Sequence, residues 1–270
     1  MKIAAVVILY NPTSDVLTNI ETYKNYVDYV ICVDNTNNDD FKTYCSDYTY
    51  IPLYENKGIA TALNIGVKKA EFYACDWVLT MDQDSSFANN IIGIYRTYLK
   101  SLSKDVKMLV PSYIFSRAKN VEKDQFITFA MQSAALIEIS VFHEIGYFEE
   151  KLFIDVVDYE FCLRLISRKY RILQIAKAKL NHSPAHTKDF SVFGFKFAYG
   201  YDSCVRYYYQ ARNLLYVGCL YRQPYLFFFL IYKFLKIVFL FENKFQYLKF
   251  FLRGIFDVFR NKFGKCDLVY

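Results

Sequence analysis

This 270-residue sequence lacks several signatures that would narrow its function at once. Its seven cysteines are odd in number, scattered along the chain and never spaced as Cys-x-x-Cys, which excludes a disulfide framework and a zinc knuckle. Residues 3–9 form an apolar run without a basic leader or a small-residue cleavage site, so we expect a buried strand and not a signal peptide. These absences fit a chain that folds in a reducing cytoplasm.

Positive charge is also scarce outside the C-terminal part of the chain. The formal net charge is +6, and residues 205–270 carry eleven Lys and Arg against three Asp and Glu, whereas residues 1–204 are slightly acidic. A nucleic-acid-binding protein would show a basic face on its folded domain or a recognised module, and neither is visible. We therefore expect no nucleic-acid partner, and we expect membrane phosphate to be the partner of the basic tail.

The hydrophobic content is high enough for a large core, at 54% of residues against 22% charged. Apolar runs typical of strands alternate with helical stripes, with strands predicted at 3–9, 29–33, 48–53, 77–81 and 107–111 and helices at 14–27, 59–70 and 90–101. This alternation predicts an α/β fold with a mostly parallel central sheet flanked by helices. In the second half we expect a strand at 129–139, a helical turn at 141–146 and a helix from Asp158.

The strand predicted at 77–81 is followed by two carboxylates, Asp82 and Asp84, and then by a polar Ser85-Ser86 turn. Side chains two apart on extended backbone share a face, so both carboxylates can point at one small cation. Carboxylate oxygens suit Mg²⁺ or Mn²⁺, which proteins hold with one or two carboxylates plus substrate phosphates. The pattern favours a sugar-nucleotide site where the strand ends. The alternative is a strand that ends in a solvated acidic turn.

A second acidic group, Asp155, Asp158 and Glu160, lies where the later helix is predicted to begin. The apolar residues that follow recur at helical spacing, which places Asp158 at or near the helix start. A carboxylate there can serve catalysis, or it can simply cap the helix and interact with the helix dipole. Both interpretations stay open on the spacing alone.

Taken in order, these motifs resemble those of family 2 glycosyltransferases over about residues 3–216. The resemblance rests on Val-Ile-Leu-Tyr-Asn-Pro (7–12), Val-Asp-Asn (33–35), Asn-Lys-Gly-Ile-Ala-x-Ala-Leu-Asn-x-Gly (56–66), Met-Asp-Gln-Asp-Ser (81–85), Phe-Ile-Asp-x-Val-Asp-x-Glu-x-Cys-Leu-Arg (153–164), His182 and Tyr-Tyr-x-x-Arg-Asn (208–213). Within the family, segments 56–66 and 82–85 look most similar to the bacterial rhamnosyltransferase branch, whose donor is dTDP-L-rhamnose. The resemblance implies a GT-A fold and inversion at the anomeric carbon.

The resemblance also assigns contacts to the nucleotide sugar. Asp34 matches an aspartate that accepts the N3–H of thymine or uracil, a group that cytosine lacks. The other residues predicted to contact the nucleotide sugar are Tyr10, Asn11, Pro12, Asn56, Gly58, Asn64, Asp82 and Gln83.

Catalytic and metal-binding roles follow in the same way. Asp84 and His182 match metal ligands, and the divalent cation, Mg²⁺ or Mn²⁺, would neutralise charge on the departing nucleotide. Asp158 matches the general base that takes the proton of the acceptor hydroxyl. Asp155 and Glu160 are supporting acids, with Glu160 expected to orient the acceptor or the helix.

Two departures from the family pattern, and one helix, leave roles open. Val157 stands where many relatives have an acid before the base, and His186 makes the local histidine assignment ambiguous. Arg212 and Asn213 resemble a family helix near the active site, although an arginine that caps a domain interface would look identical.

We expect a GT-A domain at 1–220, with a nucleotide-binding half at 1–112 and an acceptor half at 113–220. Residues 221–270 are aromatic and basic, and they predict amphipathic helices that associate with the inner face of the cell membrane, where a saccharide or lipid-linked acceptor would be presented. Lys233 and Lys236 interrupt the apolar stretch and argue against a membrane span. Packing of these helices on the catalytic domain or on a second protomer, as in a homo-oligomer, is the alternative.

Three other functions were weighed against the sequence. A UDP-hexose donor is the runner-up to dTDP-L-rhamnose, because Asp34 would read uracil and thymine alike. A non-catalytic component of a polysaccharide-assembly complex would have no physical reason to keep its converging carboxylates. A nucleotidyltransferase would need a glycine-rich basic loop after the first strand, and residues 10–13 are Tyr-Asn-Pro-Thr.

Overall fold

The structure is a computed structural model that describes residues 1–114, 121–182, 187–192 and 195–267. His186 lies outside the described residues. The strands are β1 Ile3–Leu9, β2 Tyr29–Asp34, β3 Thr49–Pro52, β4 Trp77–Asp82, β5 Ser85–Phe87, β6 Val106–Ile114, β7 Gln125–Ile127, β8 Ala135–Glu138, β9 Arg171–His182, β10 Thr187–Val192 and β11 Phe195–Gly200. The α-helices are α1 Asp15–Glu21, α2 Ile59–Phe72, α3 Ile91–Leu99, α4 Ser140–Ile145, α5 Val157–Ser167, α6 Cys204–Tyr221, α7 Pro224–Leu240 and α8 Lys244–Phe259.

The main sheet has nine strands in the order β3-β2-β1-β4-β8-β6-β9-β5, with β7 paired to β9. Strands β3, β2, β1 and β4 are parallel, and β8 then runs antiparallel to both β4 and β6. Every residue of β1 is buried, as expected for a central strand covered on both faces. The chain therefore forms the α/β fold that the alternation of strands and helices predicts.

Helix α2 packs directly on β1 because Gly66 leaves room for it. A Cβ atom on Gly66 would lie 2.2 Å from Cγ1 of Val6, which is closer than two carbon atoms can approach. The glycine of the Asn-x-Gly motif at 64–66 is thus explained by close packing between helix and sheet. No ligand is needed to account for it.

The strand predicted at 129–139 is only partly correct, because only β8 is a strand. Ala134 has a positive φ of 56°, which breaks an extended backbone, and the hydroxyl of Thr80 donates to the carbonyl of Gln132. The polar turn also falls two residues earlier than predicted, at Gln83 and Asp84, because Ser85 already begins β5. The long strand β9 was not predicted.

By internal contacts the chain divides into two compact units. Unit 1 comprises Met1–Glu149 and Asp158–Ser183, and unit 2 comprises Glu150–Val157 and Pro184–Tyr270. Helices α6, α7 and α8 pack on one another within unit 2. The boundary predicted at 220 lies between α6 and α7, which both belong to unit 2, and the division of function predicted there stays a prediction.

Candidate active site

The carboxyl ends of β1, β2 and β4 meet at one edge of the sheet in unit 1. The strand register pairs Leu9 with Asp34 and Ile8 with Asp82, so the turns that follow these strands lie side by side. Open parallel sheets bind ligands at this edge. The residues predicted at the strand ends are brought together here.

Asp34 is fully buried and organises the turn after β2. Its Oδ1 accepts a hydrogen bond from the backbone N–H of Thr36 at 3.0 Å, and its Oδ2 accepts one from the hydroxyl of Tyr50 at 2.6 Å. Burial together with this hydrogen bond raises the pKa of Tyr50. These contacts give Asp34 a role in shaping the edge, and the base-reading role stays a prediction.

Gln83 joins the β4–β5 turn to the turn after β1. Its side-chain oxygen accepts from the backbone N–H of Tyr10 at 2.8 Å, and its amide donates to the carbonyl of Tyr10 at 3.2 Å. Asn11, with a positive φ of 46°, donates its N–H to the hydroxyl of Thr36. Tyr10 keeps about half of its side chain exposed, and Pro12 is half-buried. The turn at 10–12 is therefore held at the edge with its aromatic ring accessible.

Asn56 fixes the start of α2 against the end of β2. Its Oδ1 accepts from the amide of Asn35 at 3.1 Å and from the N–H of Gly58 at 3.0 Å, while Asn35 accepts from the N–H of Lys57. Gly58 has a φ of 85°, a conformation that residues with a Cβ rarely adopt. The segment thus enters α2 beside the turn that contains Asp34.

Asn64, predicted as a nucleotide contact, bonds the backbone of Phe148 through its side chain. Its side chain is buried, its amide donates to the carbonyl of Phe148 at 2.9 Å, and its Oδ1 accepts from the N–H of Phe148 at 2.9 Å. This pair of bonds mimics a strand pairing and fixes the segment after α4 on α2. These bonds give Asn64 a structural role, and its role as a nucleotide contact stays a prediction.

Asp82, Asp84 and His182 form a group that could hold a metal ion. Each offers a ligand atom, and these atoms all lie within 4.8 Å of one another. Strand β5 pairs with β9 so that Ser85 faces His182, and the Ser85 hydroxyl lies 2.8 Å from Nδ1 of His182. Nδ1 is also 3.5 Å from Oδ1 of Asp84, whose side chain is 48% exposed.

A neighbouring loop orients Asp82. The amide of Gln132 donates to Oδ1 of Asp82 at 2.7 Å, and the backbone N–H of Asp82 donates to the hydroxyl of Ser133 at 3.3 Å. Sequence reasoning missed both residues because they lie fifty positions away, within the segment predicted as a strand. A glutamine and a serine inside an otherwise apolar run were the available signal.

A cavity of about 500 Å³ opens beside the Asp84 and His182 side chains, a size that suits a small ligand. Of the residues predicted from the sequence, Gln83, Asp84 and His182 line it. Its remaining wall is largely polar and comes from α1 and the residues before it and from β5, β6 and β9, with Thr13, Asp15, Val16, Asn19, Ser86, Ile114 and Asn181. The cavity lies within unit 1.

Asp158 lies in the first turn of α5, as predicted, and is half-buried. Its Oδ1 accepts from the N–H of Tyr159 at 2.9 Å. Burial, and after it the negative charges of Asp158 and Asp82, raise the pKa of Tyr113. The negative charges of both carboxylates therefore act on one phenol, although the two residues are far apart in sequence.

The two supporting acids are engaged in ion pairs. Glu160 is buried, and its two oxygens accept from the guanidinium of Arg164 at 3.0 and 2.7 Å. Asp155 is paired in the same bidentate way with Arg206, at 2.7 Å for both bonds. Both carboxylates therefore bond an arginine, and the roles predicted for Asp155 and Glu160 as supporting acids stay predictions.

Arg212 and Asn213 shape the segment that carries Asp155. The Asn213 amide donates to the carbonyls of Leu152, Ile154 and Asp155, and the Arg212 guanidinium donates to those of Lys151, Leu152 and Gly264. Both side chains are fully buried. The segment needs this support, because Phe153, Asp155 and Val156 all have positive φ between 63° and 66°.

The comparison with protein families decides where the chain belongs. The sequence profile of "Glycosyl transferase family 2" matches residues 4–170, which is more than half of the chain. The chain is a family 2 glycosyltransferase. It is also 28% identical over 237 residues to the "dTDP-rhamnosyl transferase RfbF" of Shigella flexneri, a match that covers 78% of each protein.

Solved structures confirm the GT-A fold of this glycosyltransferase. It is similar to the crystal structure of GalNAc-T7 with UDP, GalNAc and Mn²⁺, at a TM-score of 0.55 and 13% identity over 67% of the chain. It is likewise similar to S. aureus TarS, at a TM-score of 0.55 and 14% identity over 94% of the chain. The chain spans 43% of the length of each of these proteins, so the likeness concerns the fold.

The candidate metal ligands of this glycosyltransferase suit a hard divalent cation. Two carboxylates and an imidazole match Mn²⁺ or Mg²⁺ better than a thiolate-preferring metal, and no cysteine is among them. Asp84 exposes its carboxylate towards the cavity, which leaves space for further ligands from a substrate. The residues present therefore fit the cofactor that the sequence predicts.

Proposed function

We propose that this family 2 glycosyltransferase transfers L-rhamnose from dTDP-L-rhamnose to a hydroxyl of a lipid-linked or growing cell-surface polysaccharide, with inversion. The observation that carries the proposal is the group of Asp82, Asp84 and His182 beside a ligand-sized cavity at the carboxyl edge of the sheet. The name of the Shigella flexneri relative supports the donor. A UDP-hexose is the alternative donor.

In the proposed reaction the acceptor oxygen attacks the anomeric carbon from the face opposite the nucleotide. The new glycosidic bond forms as the bond to the nucleoside diphosphate breaks, which inverts the configuration. Asp158 takes the proton of the acceptor hydroxyl, and the helix start holds its carboxylate in place. A divalent cation held by Asp82, Asp84 and His182 would neutralise charge on the departing diphosphate.

The accessible groups at the sheet edge fit a nucleotide. The exposed ring of Tyr10 offers a stacking surface, and the N-terminus of α2 after Gly58 presents backbone N–H groups that favour negative charge. Asn56 and Gln83 hold these two segments in place through backbone contacts. We assign Asp34 to the same region, where it would read thymine or uracil.

We also propose that the enzyme works as a peripheral protein on the inner face of the cell membrane, where its acceptor is presented. Among the described residues, no helix has the length and apolar character needed to cross a bilayer. The aromatic helix α7 and the aromatic, basic helix α8 support surface attachment.

A panel of nucleotide sugars tests the donor. We expect calorimetry with Mn²⁺ to show tighter binding of dTDP-L-rhamnose than of UDP-glucose, UDP-galactose or dTDP-glucose, together with slow hydrolysis of the preferred donor. Tighter binding of a UDP-hexose would move the enzyme to the alternative donor class. Absence of binding to every nucleotide sugar would instead favour a non-catalytic role.

A further inference from the structure

Helix α7 presents a row of large apolar side chains to solvent. The row has spacings of three and four residues and consists of Tyr225, Phe228, Tyr232, Leu235 and Phe239. All five side chains are exposed, Phe228 by 70%. Residues at this spacing share one face of a helix. The opposite side, with Leu226 and Ile237, is buried in unit 2. We call this exposed row the α7 stripe.

The two lysines of α7 do not interrupt the stripe. Lys236 is buried, and its ammonium donates to the carbonyl of Gly200 at 2.6 Å. The Lys233 ammonium lies over the rings of Tyr207 and Phe229, and burial lowers the pKa of Lys233. Both charges are therefore turned towards the protein, which leaves the outer face of α7 apolar along its length.

Helix α8 carries a second row, which we call the α8 stripe. Phe245, Leu252, Phe256 and Phe259 are exposed, Phe245 by 90% and Phe259 by 78%. The basic residues Lys249 and Arg260 are also exposed and follow Phe245 and Phe256 by four residues, which places them along the side of the stripe. A helix of this kind, apolar on one face with basic residues beside it, suits the boundary of a bilayer.

The charge of the tail decides between a lipid surface and a second copy of the chain. Of its three acidic residues, Asp257 is buried and bonded to Arg253 and Tyr208, and only Glu242 and Asp267 are exposed. A second copy would bring its own Lys249 and Arg260 to the same interface, and like charges repel. An anionic bilayer complements the charge and accepts the aromatic rings.

We propose that the α7 and α8 stripes form a docking surface for anionic phospholipid bilayers. The aromatic side chains enter the headgroup boundary, and Lys249 and Arg260 contact lipid phosphates. The inference deepens the membrane part of the proposed function by naming the lipid class and the residues, and it does not depend on which sugar is transferred.

Flotation of the full chain with vesicles tests the charge contribution. We expect binding to vesicles of phosphatidylcholine with phosphatidylglycerol and little binding to phosphatidylcholine alone. Because one basic residue at an anionic surface contributes about 1 kcal/mol, Lys249→Gln with Arg260→Gln should weaken partitioning by roughly 30-fold. The matched control is Lys100→Gln with Lys104→Gln, which removes the same charge from exposed positions of unit 1 and should change little. Equal loss in both pairs would overturn the proposal.

The apolar contribution is tested separately for each helix. One double variant is made for each helix, Phe245→Ser with Phe259→Ser for α8 and Phe228→Ser with Phe239→Ser for α7. Each should weaken partitioning by at least about tenfold, since burial of one Phe is worth about 1.5–3 kcal/mol. All four positions are exposed, so the variants should keep the circular dichroism and the donor binding of the parent protein. Unchanged flotation would sink the proposal. Loss of a dimer in sedimentation, without loss of flotation, would assign the stripes to a second copy.

Discussion

The carboxylates of the β4–β5 turn and those of segment 155–160 look alike in the sequence, yet they have different surroundings. Asp84 is 48% exposed beside His182 and borders a cavity. Asp155 is 12% exposed and is held by two short hydrogen bonds from Arg206. Glu160 is paired in the same way with Arg164.

The two groups of acids therefore differ in accessible space and in the nearest cation, and not in residue type or spacing. A guanidinium that bonds both carboxylate oxygens uses about two of their four lone-pair sites and fixes the orientation of the carboxylate. Asp158 lies between these two paired acids in the sequence. Its negative charge, like that of Asp82, raises the pKa of Tyr113. The comparison therefore leads to a ranked set of variants.

The largest effect is expected for Asp158→Asn. An amide cannot take the acceptor proton, so transfer should slow by about 10²- to 10⁴-fold while donor binding stays within a few-fold. Single-turnover transfer, together with calorimetry of the donor, measures the two quantities separately.

Asp155→Asn is the matched control, because it makes the same chemical change three residues earlier. We expect it to slow transfer by less than about tenfold, since an amide can still accept from Arg206. A loss as large as that of Asp158→Asn would erase the distinction between the two acids.

Asp84→Asn should lower transfer by about 10²- to 10³-fold, since a charge that stabilises the leaving group is lost with its cation. Titration of Mn²⁺ into the protein without donor should show weaker binding, and chelator should abolish transfer by the parent enzyme. Asp15→Asn is the control, because Asp15 also lines the cavity but lies outside the group of Asp82, Asp84 and His182. Full turnover in excess chelator would contradict the role of the group.

A smaller effect, on stability and not directly on chemistry, is expected for Asn213→Ala. The change leaves the carbonyls of Ile154 and Asp155 without the Asn213 amide as donor. Because one buried unsatisfied group costs about 1–3 kcal/mol, the free energy of unfolding in urea should fall by about 3 kcal/mol. Asn38→Ala, at an exposed turn position, should stay within about 0.5 kcal/mol. Equal stability of the two variants would show that the segment holds its shape without Asn213.

The first half of the fold was predictable because its strands are short apolar runs separated by helical stripes. Strands β1, β2 and β4 and helix α2 lie where the pattern places them. Strand β9 was missed, although Ala176, Ala178 and Leu180 alternate with Lys177 and Lys179 as strand residues do. That alternation also predicts that His182 shares a face with Leu180.

The site was predictable only where residues are close in sequence. Asp82 and Asp84 follow from one strand, but Gln132 and Ser85 reach their partners through the pairing of β8 and β9 with distant strands. The engagement of Asp155 by Arg206 also depends on tertiary contact, since the two residues are 51 positions apart. Family resemblance transfers residue roles, but it carries no information on such pairs.

The buried amide of Asn213 has a consequence for how the chain is made. It bonds carbonyls that precede it by 58 to 61 residues, so segment 150–157 leaves the ribosome well before the helix that holds it. At translation rates of about 5–20 residues per second, this leaves roughly 3 to 12 seconds in which those carbonyls are bonded to water. During this interval no tertiary contact from Asn213 holds Phe153, Asp155 and Val156 at positive φ, a conformation that is unfavourable without such support. The stretch of chain that leads into Asp158 is therefore expected to take its shape only after every strand of the main sheet has been synthesised.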